Sequence, residues 1–264
     1  MTAVETPAQG DDAEADSSTA LYVYGVMRAG SLRDAQVHGV ADAPVAEVTH
    51  ADLSALVSRV PIPVRAKRRE LLSHADVLNA AVAAGTVLPL SFGTVFPDEE
   101  TLVSDFLEPR ADELRDLLDR LAGRVELTLK GYYRQEAVLA EIVRTNPRIA
   151  RLREATRERP GAATHAARLE LGTAVAAELD ARSRRDAAAI LGELQPLVAD
   201  MRVDERAIEG QVLSASLLVE RQHVAAVDAV TDAIARREAG RIEFKYVGPL
   251  APHSFVALSP RGGT

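Results

Sequence analysis

The chain has 264 residues, a formal net charge of −8 and no cysteine. Its length exceeds that of most single domains, which favours two domains or one domain with a large insertion. An acidic chain without a basic domain lacks the electrostatic footprint that a phosphate backbone requires, so nucleic acid is not expected as a partner. The absence of cysteine excludes disulfides, thiolate nucleophiles and Cys-ligated zinc.

Apolar residues make up 47% of the chain, whereas aromatic residues make up only 4% and tryptophan is absent. We therefore expect a core of Ala, Val, Leu and Ile, which suits closely packed helices. No apolar stretch approaches the roughly 20 residues needed to cross a bilayer. The first residues also lack the basic and apolar regions of a signal peptide. A cytoplasmic location is therefore expected.

Residues 1–19 are predicted to form a disordered acidic tail, because they contain no Lys or Arg and show no apolar periodicity. The acidic side chains of this segment are those of Glu5, Asp11, Asp12, Glu14 and Asp16.

An N-terminal α+β domain is predicted over residues 20–135, beginning with a buried strand at Leu21–Met27. A strand pair and an amphipathic helix follow, and Pro89 places the next apolar segment at a sheet edge or bend. Pro109 is expected to break the following helix, and the alternation after it indicates a half-buried strand. In order, these elements are Val45–Thr49, Leu53–Val60, Arg65–Ala84, Thr86–Phe96, a helix from Pro97, a helix over Arg110–Ala122, and the strand Val125–Lys130.

The remainder, residues 136–264, is predicted to be a helical plus ferredoxin-like domain. Residues 136–199 are expected to form a hairpin-like helical stretch broken at Pro160-Gly161. A seam of small and apolar residues at spacings of three and four predicts an antiparallel helix pair. The seam consists of Leu169, Gly172, Ala176, Leu179, Ser183, Ala187, Ile190, Leu194 and Leu197.

The last part of the chain indicates a β-α-β-β order, typical of a split ferredoxin-like sheet with helices on one face. The predicted elements are the strand Val212–Glu220, the helix Gln222–Ala239, and the strands Arg241–Val247 and Ser254–Leu258. The predicted fold class is therefore α+β.

Patterns that could carry catalysis or ligand binding are weak. Gly25–Ser31 has the spacing of a phosphate-binding loop, but Ser31 stands where the lysine is needed, and a plain turn is the better interpretation. No Gly-x-Ser-x-Gly elbow is present, and acidic pairs such as Glu99-Glu100 and Asp204-Glu205 lie at polar helix starts and in loops. No two histidines have the i, i+4 spacing of a helical metal site. The histidines are His38, His50, His74, His165, His223 and His253.

We therefore assign no catalytic, cofactor-binding or metal-ligating residue. His74 borders an apolar helix face and is interpreted as a partly buried, hydrogen-bonded side chain. The run Arg65–Arg69 is the one dense basic cluster. It is interpreted as a solvated helix start, or as a contact for acidic segments of a partner or of the same chain.

Two segments resemble the gas vesicle protein F/L family. Leu88–Phe96, preceded by His74-x-x-Val77-Leu78, is similar to that family's central l-P-l-R-F-G-t-v-f motif. Gly248–Phe255 is similar to its G-P-W-P-P-Y-s-F ending, and Tyr22–Val26 fits its first strand. Both the F-type and the L-type share these motifs, so the motifs do not separate the two types.

This chain departs from the family pattern at four positions. Ser91 replaces an arginine, and Leu250, Ala251 and His253 replace Trp, Pro and Tyr. Any contact surface that relatives build from those side chains is expected to be altered here.

The resemblance implies an N-terminal α+β domain, a C-terminal ferredoxin-like domain with long helices, and no reaction or cofactor. It also implies an accessory role in gas vesicle assembly, with the small hydrophobic shell protein and other accessory proteins as partners. The residues themselves leave two alternatives open. One is a small-molecule-binding or enzymatic α+β protein whose dispersed site includes His74 and nearby carboxylates. The other is a helical adaptor in which residues 162–199 exchange between chains.

Overall fold

The computed structural model describes residues 19–31, 37–157, 163–204 and 210–258. Two antiparallel sheets with their helices make up this part of the chain. The first group comprises β1 (Thr19–Arg28), β2 (Ala46–His50), β3 (Leu53–Pro61), α1 (Arg68–Ala84), β4 (Val87–Pro89), β5 (Val95–Phe96), α2 (Glu99–Leu102) and α3 (Ala111–Arg120). The second comprises β6 (Arg124–Tyr133), α4 (Gln135–Thr145), α5 (Pro147–Arg157), α6 (Ala163–Leu194), β7 (Asp200–Val203), β8 (Gln211–Glu220), α7 (Val224–Glu238) and β9 (Ile242–Leu250). The α+β class expected from the sequence is confirmed.

The first sheet has the order β2-β3-β1-β4, and β5 pairs with the start of β1. Successive side chains of a strand point to opposite faces, and β1 is buried on both. Leu21 and Val23 join the cluster that contains the inward leucines of α3. Tyr22 and Tyr24 join the cluster that contains the inward face of α1. The sheet is therefore sandwiched between α1 on one face and the α2–α3 segment on the other.

The helical segment after β5 changes its winding without leaving the helical path. Asp98 caps α2 by accepting a hydrogen bond from the Thr101 amide at 2.8 Å. The chain then passes through one π turn, Val103–Leu107, and one 3-10 turn, Glu108–Arg110, before α3 begins. Pro109 lies in the 3-10 turn, where its missing N–H interrupts the α-helical bonding but does not redirect the chain.

The second sheet has the order β7-β8-β6-β9, with every neighbouring pair antiparallel. Taken with its helices, the segment has the order β-α-β-β-α-β, which is the ferredoxin-like arrangement. β6 is a central strand of this sheet, although the sequence placed its residues in the unit 20–135. By strand pairing, β6 belongs with the later residues. The sequence did not indicate this, because alternation predicts a half-buried strand but not the strands that pair with it. The division into a tail, a unit 20–135 and a unit 136–264 remains a prediction.

Two other local predictions differ from the structure. Ser254–Leu258 is not a strand; His253–Phe255 forms a 3-10 turn instead. The short edge strand β7 was not predicted, because its four residues are mostly exposed and carry no alternation. The predicted break at Pro160-Gly161 and residues 1–18 of the predicted tail lie outside the described residues, whereas Thr19 already begins β1.

The predicted antiparallel helix pair is formed by α5 and α6. Arg148 of α5 contacts Glu170 at 2.9 Å, and Asn146, just before α5, contacts Glu178 at 3.1 Å. The predicted seam is correct only in the second half of α6, where Ile190 and Leu194 are buried. In the first half of α6 the predicted seam is wrong, because the residues that pack inward are shifted by about one position from the predicted ones. Leu171, Ala174 and Val175 pack inward, and Leu169, Gly172 and Ala176 are exposed.

Further contacts tie the second group of elements together and connect it to the first. Arg241 reaches Glu141 of α4 at 2.8 Å, Asp186 of α6 at 2.9 Å and Glu238 of α7 at 2.9 Å. The segment after β9 returns to the first sheet, where Phe255 enters the cluster on the α3 side. Within the described residues, no helix combines the length and the apolarity needed to cross a bilayer.

We predict that Gly248→Ala destabilises the protein by about 2–3 kcal/mol, because an added methyl group overpacks a filled site. A Cβ at this position would lie 2.4 Å from Leu127 Cδ2 and 3.0 Å from the Glu126 carbonyl oxygen. Gly172→Ala is the matched control, because it lies on the exposed side of α6 with nothing within 4 Å. The control should raise stability by about 0.5–1 kcal/mol. Urea unfolding followed by circular dichroism measures both, and equal effects would contradict the close approach at Gly248.

Candidate functional site

The segments that carry the family resemblance meet in space around the ring of His74. His74 lies in α1, Tyr22 in β1, Phe92 in the loop before β5, and His253 after β9. Ring centroids lie 5.7 Å apart for His74 and Phe92, 5.7 Å for His74 and Tyr22, and 6.5 Å for His74 and His253. Residues distant in sequence thus form one aromatic cluster on the α1 face of the first sheet.

The two tyrosines of this cluster use their hydroxyl groups to fix neighbouring loops. The Tyr22 hydroxyl lies 2.9 Å from His74 Nδ1 and accepts a hydrogen bond from the Gly93 amide at 3.1 Å. The Tyr24 hydroxyl accepts from the Val40 amide at 2.8 Å and donates to Ser58 Oγ at 3.0 Å. Burial raises the pKa of Tyr22 to about 12, so its hydroxyl group keeps its proton at neutral pH.

Only glycine fits at position 39, beside the Tyr24 hydroxyl. A Cβ there would lie 1.9 Å from that oxygen. The loop that contains Gly39 therefore approaches the strand as closely as its backbone allows.

His74 is held neutral by its surroundings. It is 6% exposed, and its Nε2 faces the Leu90 carbonyl without a hydrogen bond of standard geometry. Burial, and secondarily the nearby His253, lowers the pKa of His74 to about 4. At neutral pH the ring can accept a hydrogen bond from Tyr22 at Nδ1, which suits a structural histidine.

A buried carboxylate attaches the C-terminal motif to the second sheet. Glu126 of β6 is 4% exposed and accepts hydrogen bonds from the Ser254 amide at 2.8 Å and the Ser254 hydroxyl at 2.7 Å. The guanidinium group of Arg202 lies 5.4 Å from the centre of the adjacent Phe255 ring. Two charge-assisted hydrogen bonds are strong enough to hold the segment in one position.

Sequence reasoning missed Glu126 and Tyr24. Glu126 occupies a polar position of the predicted half-buried strand Val125–Lys130, and nothing local indicates that the chain end covers it. Tyr24 was assigned only to a buried strand. The signal that could have found it is its phenolic hydroxyl, because a buried tyrosine usually needs a hydrogen-bond partner.

The cluster is a packed junction, and two surface cavities of the described structure lie away from it. One has about 510 Å³ and lies between β2 and the α2 segment. The other has about 670 Å³ and is lined by residues 132–137 and Glu243. His74 is thus enclosed by aromatic rings instead of lining a pocket with carboxylates, which was the geometry that the small-molecule alternative required.

The other candidates from the sequence are separated from this cluster. Gly25 lies inside β1, where a Cβ would come within 2.7 Å of the Leu88 carbonyl oxygen, so its role is close strand pairing. Glu99 and Glu100 are exposed at the start of α2. Asp204 is described, whereas its neighbour Glu205 is not. Within the described ranges, no group of three or more His, Asp or Glu side chains could hold a metal ion.

The basic run at the start of α1 is exposed to solvent. Arg65, Lys67, Arg68 and Arg69 are exposed, and Leu71 and Leu72 beside them are 45% and 55% exposed. The four departures from the family pattern include both exposed and buried residues. Ser91 and His253 are exposed and Leu250 is half-buried, whereas Ala251 is 4% exposed. The departures therefore alter the surface and the packing.

Comparison with known proteins identifies relatives along most of the chain. A model of the family described as gas vesicle synthesis protein GvpL/GvpF matches residues 20–257. Gas vesicle protein F from a Streptomyces species is 34% identical over 239 residues, covering 89% of this chain and 98% of that protein. Gas vesicle protein L2 from Halobacterium salinarum is 24% identical over 272 residues, covering 95% and 96% of the two chains.

Two solved structures share the fold. The crystal structure of the gas vesicle protein GvpF from an Anabaena species aligns with a TM-score of 0.79 at 24% identity, covering 92% of this chain and 100% of that one. The structure of GvpF from Microcystis aeruginosa aligns with a TM-score of 0.74 at 23% identity, covering 90% and 99%.

We predict that the stability of the protein depends on the ionisation of His74. In the unfolded chain His74 titrates near 6.5, and in the folded protein near pH 4. Between these values the unfolded state binds a proton that the folded state does not, so stability falls as the pH drops through this window and is fully present above it. The loss attributable to His74 is on the order of 3 kcal/mol.

Urea unfolding at pH 7, 5.5 and 4 tests this prediction, with His74→Phe as the variant that cannot titrate. The wild type should lose more stability than the variant over this range, even if the variant starts lower because Tyr22 loses its hydrogen bond. An equal loss in both proteins would show that another group is responsible.

Proposed function

Because this chain belongs to the gas vesicle synthesis protein GvpL/GvpF family, we propose that it is an accessory protein that binds the small hydrophobic shell protein during vesicle nucleation or growth. Family membership gives the chain a role in gas vesicle formation. The contacts with the shell protein and with other accessory proteins are the proposal, as is a cytoplasmic, vesicle-associated location. The proposal includes no catalytic step.

The observation that carries shell-protein binding is the open edge of β9. Among the described strands, β9 pairs only with β6, so one side of its backbone is unpaired. An open edge can add an extended segment of another protein through main-chain hydrogen bonds. Val247 of this strand is 54% exposed, which offers an apolar contact beside that edge.

The charges of β9 suit a transient partnership. Glu243 and Lys245 point to solvent along the strand, and charged side chains at an edge oppose uncontrolled pairing between copies of the same chain. A shell subunit with exposed strands and apolar helices could be shielded at this edge until it joins the growing vesicle wall.

The first half of α6 supplies a second surface, which we assign to other accessory proteins. Leu169, Gly172 and Ala176 form an exposed line on this helix, and Leu169 is 67% exposed. A line of small and apolar residues on a helix can receive another helix closely.

The site geometry favours this function over the small-molecule alternative. A binding site of that kind needs a cavity with convergent polar groups. His74 instead lies within an aromatic cluster, and its pKa is lowered by burial.

Deletion of the gene in its native host, or in a reconstituted gene cluster, tests the role in the cell. We expect electron microscopy to show loss of gas vesicles, and the intact gene to restore them. Normal vesicles after deletion, with no second family member in the cluster, would contradict an assembly role.

We predict that Val247→Lys impairs binding of the shell protein, because the ammonium group would place a strongly hydrated charge at the apolar edge of β9. The purified protein should slow light scattering by aggregating shell protein. The variant should need about tenfold more protein for the same effect, which corresponds to about 1.4 kcal/mol of binding energy.

Val203→Lys is the matched control. Val203 is 47% exposed on β7, the opposite edge strand of the same sheet. Equal losses in both variants would mean that the β9 edge is not the binding surface.

A further inference from the structure

A basic patch lies at the start of α1. It comprises the cations Arg65, Lys67, Arg68 and Arg69 with the exposed apolar side chains of Ile62, Leu71 and Leu72. No ion pair joins any of the four cations to a residue within the described ranges. Glu70, the acidic residue next to Arg69, does not pair with these cations and accepts a hydrogen bond from the Ala41 amide at 2.7 Å.

The patch is electrostatically unfavourable for an isolated molecule. The N-terminus of a helix carries partial positive charge, which opposes cations placed there. Lys67 occupies the N-cap of α1 without a capping hydrogen bond from its side chain. Carboxylates placed against this helix start would relieve both effects.

An acidic groove of about 510 Å³ lies between β2 and the α2 segment. Its carboxylates belong to Glu47, Glu99, Glu100 and Glu108, and its apolar lining comes from Val48 and Val103. Glu99 has a distant ion pair with Arg59 at 4.0 Å. Within the described part of the chain, Glu100 and Glu108 have none. The groove therefore combines apolar walls with carboxylates that can accept further cations.

Within the described residues of one molecule, no ion pair joins the patch to the groove, and Glu99 pairs with Arg59 instead. The patch lies at the start of α1, and α1 covers the Tyr22 and Tyr24 face of the first sheet. The groove is lined by Val48 and Val103, which pack into the cluster on the opposite face. The two surfaces therefore lie on opposite sides of the sheet, and both are open to a second copy of the chain.

We propose that copies of this chain associate head to tail, with the basic patch of one molecule seated in the acidic groove of the next. Four cations meet four carboxylates, and Leu71 and Leu72 meet the apolar lining. Because the two surfaces differ, the contact is heterologous, and each added copy leaves one patch and one groove free. The association therefore grows into rows of molecules.

The chain's net charge of −8 sets the conditions for this contact. Like net charges repel, so association depends on the local pairing of the patch with the groove. Exposed ion pairs weaken as salt is added, and rows should therefore shorten at higher ionic strength.

Charge-reversed variants of the full chain test the proposal by sedimentation velocity over a range of protein concentrations. The patch variant carries Arg65→Glu, Lys67→Glu, Arg68→Glu and Arg69→Glu. The groove variant carries Glu99→Lys, Glu100→Lys and Glu108→Lys. We expect the wild-type weight-average mass at least to double with concentration at about 0.05 M salt, where screening is weak, and to fall at about 0.3 M.

Each variant alone should remain monomeric, because its patch and groove then carry charge of the same sign. An equimolar mixture should associate again, because the reversed patch of one variant complements the reversed groove of the other. This recovery separates a specific contact from simple damage, and circular dichroism verifies that each variant folds.

The control reverses Arg144, Arg151, Arg153 and Arg236 to Glu, four exposed residues away from both surfaces that change the net charge as much as the patch variant does. It should associate like the wild type. A wild type that is monomeric at every concentration, a mixture that fails to recover, or a control that loses association would each overturn the proposal. These outcomes do not depend on shell-protein binding, so they are separate from the tests of the proposed function.

Discussion

The described structure depends on the return of the chain to the first sheet after β9. Glu126, buried in the second sheet, accepts two hydrogen bonds from Ser254. This anchor positions Ala251 in the cluster under α1 and Phe255 in the cluster under α3. One short segment therefore completes the packing on both faces of the first sheet while attached to the second. A buried carboxylate requires such partners, since leaving it unpaired would cost several kcal/mol.

The same constraint explains why the motif residues form a junction. Tyr22, His74 and Phe92 surround one another on the α1 face, and His253 closes the cluster from the end of the chain. The Tyr22 hydroxyl contacts His74 Nδ1 and accepts a hydrogen bond from the Gly93 amide. In this chain, the motif residues therefore serve the packing of the fold.

The surfaces proposed for interaction lie on the outward sides of these fixed elements. α1 buries His74, Val77 and Leu78 and presents its cations to solvent. β9 is held by β6 on one side and open on the other. A rigid junction with several separate outer surfaces suits an accessory protein that contacts more than one partner, because preorganised surfaces lose little entropy on binding.

Local pattern by itself determined the strands β1 to β3, the helices α1 and α3, and the second half of the α6 seam, because apolar periodicity reports which side of an element is buried. The two motifs also indicated the family. Only the tertiary structure decided that β6 belongs to the second sheet, that Ser254–Leu258 is no strand, and that Glu126 is buried. It also decided that His74 lies among aromatic rings and that the patch and the groove lie on opposite faces. These outcomes depend on contacts between residues far apart in the chain, such as Glu126 with Ser254, and periodicity within a segment carries no information about which distant segment will cover it.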